Sequence, residues 1–172
     1  MTDTHFTSTT VENGEVSRSR LKENVSASDL DVFVGTWRLE GRQYDSPFGQ
    51  AATIRAEETY SWLPGGLYLI HRFQGLVGRD PMACIEMVGA DPSGTAFRVN
   101  TFYNDGHSKE WLLRQRSGIW TLVGTWDAGR EQTHVCCSLI FDNEGGTRTS
   151  IWDRSTDGLA WRTFWEATAT RV

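Results

Sequence analysis

Regular interruption by glycine constrains this chain more than any other feature. Turn-type clusters fall around Gly49, Gly66, Gly78, Gly94, Gly106, Gly118, Gly129, Gly146 and Gly158, and between them lie segments rich in β-branched and aromatic residues: 36–43, 51–63, 67–77, 82–90, 96–103, 107–116, 119–126, 132–142, 147–153 and 160–171. Each break supplies residues that tolerate the positive φ of a tight hairpin. Inside the segments apolar residues recur at every second position. Leu67, Leu69, His71 and Phe73 share one face, as do Trp120, Leu122, Gly124 and Trp126. That period belongs to strands, and the short connections require antiparallel pairing. Ten such strands in sequence would leave two exposed edges unless the sheet closes on itself. The expected fold is all-β: a ten-stranded antiparallel up-and-down barrel, wide enough to hold a small-molecule cavity.

At 172 residues the chain suits one domain. Residues 1–27 are rich in Thr, Ser, Glu and Asn with isolated apolar residues, and read as a disordered tail ahead of a barrel domain over 28–172. Ser28 is a capping residue for a short helical turn ending near Val34. In Gly35-Thr36-Trp37, the glycine lets the chain bend into the first strand and Trp37 plugs the closed end. In Gly124-Thr125-Trp126, Gly124 is a kink that curves the sheet.

The formal net charge of -5, with basic residues dispersed, removes the electrostatic basis for nucleic-acid binding. No apolar stretch reaches the length of a membrane span, and Cys84, Cys136 and Cys137 form neither a disulfide framework nor a metal motif. A cytoplasmic protein is expected, with no membrane or nucleic-acid partner; a homodimer is compatible with these properties.

Two ionisable residues stand out for chemistry. His71 lies mid-strand among apolar residues, where burial favours its neutral form; it reads either as a core histidine satisfied by a carbonyl or as a base. Glu86, in Met82-Ala83-Cys84-Ile85-Glu86-Met87-Val88, is the best candidate for a buried carboxylate, with Arg98 or Arg72 as its counter-ion. The two lie at nearly equal distances from the turn near Arg79, so hairpin pairing sets them at one height and parity decides whether they share a face. Glu57, Glu58 and Glu110 read as surface groups. His134 reads as a rim residue or a pocket residue. No nucleophile elbow, metal motif or phosphate loop is present.

Three stretches carry a resemblance. Phe33-Val34-Gly35-Thr36-Trp37-Arg38-Leu39-Glu40-Gly41, Leu63-Pro64-Gly65-Gly66-Leu67-Tyr68-Leu69 and Ser155-Thr156-Asp157-Gly158-Leu159-Ala160-Trp161 follow, in order, the pattern of an uncharacterised bacterial barrel family, domain of unknown function 1579. The resemblance implies a calycin-type barrel, similar in outline to lipocalins, fatty-acid-binding proteins and nitrobindins. Haem-binding nitrobindins start with GxWxGxG and have a late axial histidine. Here Leu39 replaces the middle glycine and the last two segments lack histidine, so no cofactor is expected. The functional expectation is binding of a small, largely apolar or aromatic molecule in the barrel, with Tyr68, Arg98, Tyr103, Trp126, His134, Trp152 and Trp165 as ligand-binding residues. The alternative is a cofactor-independent cyclase, isomerase or dehydratase using His71 and Glu86 as its acid–base groups.

Overall fold

The structure is a computed structural model and describes residues 24–128, 131–142 and 144–172. Ten strands follow in meander order: β1 (Gly35–Gln43), β2 (Ala52–Trp62), β3 (Tyr68–Val77), β4 (Asp80–Ala90), β5 (Phe97–Tyr103), β6 (Ser108–Arg116), β7 (Ile119–Ala128), β8 (Glu131–Phe141), β9 (Thr147–Ser155) and β10 (Arg162–Arg171). Each pairs antiparallel with its sequence neighbours, and β1 pairs with β10 to close the barrel. The fold is the one expected from turn spacing and period-two patterning. Closure follows from the same chemistry, since it leaves no row of unpaired backbone groups.

One end of the barrel is sealed by a 3-10 helix, η1 (Ala27–Phe33). Its cap is Ser26 rather than Ser28: the Ser26 backbone N–H donates to Asp29 Oδ2 at 2.8 Å. Asp29 is the residue able to reach back to that amide, which is why the cap falls two positions earlier than Ser28. Val25 N–H donates to the Gly94 carbonyl at 2.8 Å, so the segment just before the helix is tied to the barrel. Residues 1–23, most of the expected tail, lie outside the described residues.

Leu30 and Phe33 point from η1 into the barrel and are buried. The Phe33 ring lies 5.1 Å from both Trp120 and Phe141 and 5.5 Å from Tyr60. Gly35 follows with φ of 132°, a conformation that side-chain-bearing residues rarely adopt, and this sets the angle between η1 and β1. Trp37 is fully buried, and its indole N–H donates to the Phe33 carbonyl at 2.8 Å. Arg171 then covers the Trp37 ring at 4.2 Å and donates to the carbonyls of Val32 and Val34. Trp37 is therefore the plug of the closed end, as the first Gly-Thr-Trp suggests.

The second Gly-Thr-Trp has a different physical basis. A Cβ on Gly124 would lie 2.5 Å from Trp111 Cε3, so the glycine makes room for an indole on the neighbouring strand. Among the described residues, no helix is long and apolar enough to cross a membrane.

Candidate functional site

The inner wall is defined by register. Partners across the ladder share a face, so the sequence Tyr60↔His71↔Glu86↔Thr101↔Lys109 runs around the inside across β2 to β6. His71 and Glu86 are direct cross-strand partners, and His71 Nδ1 meets Glu86 Oε2 at 2.7 Å. The two candidate residues thus share the interior, and no bulge intervenes between them.

Around this pair the interior holds a network that the sequence did not reveal. Thr101 donates to Glu86 Oε1 at 2.7 Å, and the Trp111 indole donates to Thr101 at 3.1 Å. On the other side, His71 Nε2 faces Glu58 Oε1 at 3.7 Å, an ion-pair distance rather than a hydrogen bond. Arg148 reaches across from β9 to pair with Glu58 and donates to the Tyr60 hydroxyl at 3.1 Å. The small β10 residues Ala167 and Ala169, both buried, leave space for that long side chain. Tyr60 stacks on His71 with ring centroids 4.1 Å apart and planes within 5°.

Electrostatics fix the protonation states. Burial alone pushes the Glu58 carboxyl up, but Arg148 and then His71 outweigh it and hold it down at about 2. Burial pushes the His71 imidazole down, yet Glu86 and Glu58 together raise it to about 9. Burial lowers Arg148 too, and Tyr60 and Glu58 more than restore it. His71 is therefore a cation at neutral pH, a correction to the neutral imidazole expected from burial alone. Two carboxylates face two cations, and the network is balanced. It can donate protons or orient a dipole, and its least buried charge is Glu86, whose side chain is 16% exposed against 6% for Glu58.

Above this floor, toward the end opposite η1, the inward side chains are aromatic. Tyr103, Trp126, Trp152 and Trp165 all face inward and are each only half-buried. Tyr103 lies 5.6 Å from Trp126, and Trp152 lies 5.8 Å from Trp111. Phe48, on the loop between β1 and β2, leans over the mouth against Trp126 at 5.5 Å and Phe164 at 4.8 Å. Lys109 stands 5.6 Å above the Trp126 ring.

Other sequence expectations are corrected. Tyr68 is 44% exposed on the outer wall, where its ring covers Gly89. Arg98 also faces outward, paired with Asp91 at 3.5 Å and Glu110 at 3.6 Å, and does not reach Glu86. His134 is exposed on the outer face of β8, between the inward Thr133 and Val135. Glu58, read as a surface group, is 5% exposed. Its signal was the alternation Ile54, Ala56, Glu58, Tyr60, Trp62, obscured by the adjacent Glu57. Arg148 was missed for a related reason: Arg148, Ser150 and Trp152 alternate, but no sequence rule places an arginine inside without knowledge of its partner. Among the described residues no group of three or more His, Cys, Asp or Glu is placed to hold a metal ion.

The pattern described for the family "Protein of unknown function (DUF1579)" matches residues 27–153, from η1 almost to the end of β9. This chain belongs to that family. No curated protein matches it. The barrel is similar to the crystal structure of Rv2717c from M. tuberculosis, with a TM-score of 0.59 and 12% identity, covering 87% of this chain and 99% of that one. At that identity the likeness concerns the fold alone.

Proposed function

We propose that this family member is a cytoplasmic barrel that binds a small, largely apolar or aromatic molecule through its open end. The observation that carries this reading is the set of inward-facing, half-buried aromatics, Tyr103, Trp126, Trp152 and Trp165, above a sealed floor. Aromatic rings that only filled a closed core would be excluded from solvent, whereas these stay partly accessible, and flat molecules stack on rings of this kind. The floor network supplies polar groups of fixed direction, and Phe48 narrows access. Native mass spectrometry of freshly purified protein, with tryptophan-fluorescence titration of neutral 2-naphthamide, tests the reading. The expected result is a 1:1 complex weakened by Trp152→Ala; absence of any bound mass and of any quenching would mean a barrel filled by its own side chains.

A second reading, acid–base catalysis in the same cup, draws on Glu86. Its carboxylate is oriented by Thr101 and His71 and is the least buried charge of the network. With His71 protonated, Glu86 is the base and His71 the acid that stabilises it. Under this reading Glu86→Gln abolishes turnover of a bound molecule while leaving its affinity within about threefold; unchanged turnover would leave binding as the whole function.

A further inference from the structure

Register places two arginines opposite each other at the mouth. Arg154 on β9 is the ladder partner of Arg162 on β10, and also of the buried, inward-facing Val135 on β8. By register both arginines share the inner face, two positions along β9 and three along β10 from the Trp152↔Trp165 pair, with Arg162 exposed at the rim. Between the two pairs the ladder shifts register at Thr163 and Trp165, the kind of irregularity that re-aims side chains at a barrel rim.

Arg154 is half-buried and its Nε is buried without a hydrogen-bond partner. Neither Arg154 nor Arg162 has an acidic partner among the described residues. The two other arginines whose Nε lacks a hydrogen-bond partner are neutralised: the buried Arg148 by Glu58, and the outward-facing Arg98 by Asp91 and Glu110. Like charges directly opposite on one face of a sheet repel, and a half-buried guanidinium without an anion is unfavourable. The floor, by contrast, is already balanced and has no unmatched charge to offer a ligand.

We propose that Arg154 and Arg162 form an anion clamp, and that the molecule taken up is an organic anion with a flat apolar body and a carboxylate-type head. This rests on the aromatic cup reading above. The body lies against Trp152 and Trp165, and the head stays at the mouth, where paired guanidinium groups offer the forked donors that suit a carboxylate. The charge remains near water rather than entering the desolvated floor.

Titration of tryptophan fluorescence with 2-naphthoate and its neutral isostere 2-naphthamide tests the proposal. Charge-assisted hydrogen bonds of this kind correspond to a preference of about tenfold or more for the anion. Arg154→Gln and Arg162→Gln are each expected to remove most of that preference while changing naphthamide affinity less than about twofold, and Arg154→Lys to keep part of it. Without ligand at low salt, Arg154→Gln is expected to melt at the same temperature as the parent or higher, because a repulsion has been removed. Equal affinity for both probes, a preference unchanged in both glutamine variants, or a lower melting temperature for Arg154→Gln that marks the side chain as structural would each overturn the clamp while leaving the cup intact. Failure of both probes to bind would overturn the cup, and the clamp with it.

Discussion

Arg148 and Glu58 make the sharpest residue-scale contrast between composition and context. Both are charged, both are almost fully buried, and each is tolerable only because the other is there. Removing one partner leaves an uncompensated buried charge, which costs about 3–5 kcal/mol, whereas replacing both with apolar groups is far less damaging. Glu58→Gln is therefore expected to lower stability in urea by about that amount, and Glu58→Gln combined with Arg148→Met to recover much of the loss. Additive losses in the double variant would show that the two side chains do not depend on each other. Trp37 belongs to the same scale. Its ring fills the space between Phe141, at 5.9 Å, and the Arg148 and Arg171 guanidinium groups. Trp37→Ala is expected to cost about 3–5 kcal/mol in the same measurement without altering naphthamide binding, since Trp37 lies at the closed end.

Among the elements, β6 and β7 illustrate how a strand can be shaped by its neighbour's side chain. Gly124 sits at a point where β7 must accept the Trp111 indole, and that indole also donates to Thr101 and so fixes Glu86. A methyl group there pushes the ring, and overpacking of this type costs about 1–3 kcal/mol. Gly124→Ala should lower the thermal midpoint accordingly and shift the Trp111 indole resonance in an NMR spectrum. A loss below about 0.5 kcal/mol would mean that the ring has room to move. The helix η1 works differently. It is only seven residues long, and its contribution comes from Leu30 and Phe33 reaching into the barrel and from Trp62 donating to Asp31 at 2.8 Å.

For the whole molecule, the floor network links stability to pH. The folded-state pKa of His71 is raised from 6.5 to about 9, so its stabilising contribution is complete below 6.5 and is lost as pH rises through about 9. The Glu58 carboxyl is lowered from 4.5 to about 2, so its contribution is present above 4.5 and is lost as pH falls through about 2. Stability should be flat between pH 4.5 and 6.5 and fall on both sides. The alkaline loss is on the order of 3 kcal/mol, from the shift in His71. His71→Gln should flatten the profile between pH 6.5 and about 9, as read by urea denaturation across the range. An unchanged alkaline slope in that variant would assign the effect to another group.

Turn chemistry and alternation act locally, so the sequence by itself determined the number of strands, their limits to within about two residues, the meander and its closure. The near-equal distances of His71 and Glu86 from the turn between β3 and β4 likewise put the two at one height, while the unbroken register of that hairpin decided that they share a face. What alternation cannot supply is the choice between two faces when both carry polar residues. Tyr68, Arg98 and His134 fell on the outer wall for that reason, and Glu58 fell inside. The cation that holds Glu58 comes from a strand distant in sequence, and Arg148 meets it only because the barrel closes through β1 and β10. The charge on His71 followed the same rule: burial, which is legible along one strand, favours the neutral form, and the two carboxylates that reverse it are assembled only in three dimensions.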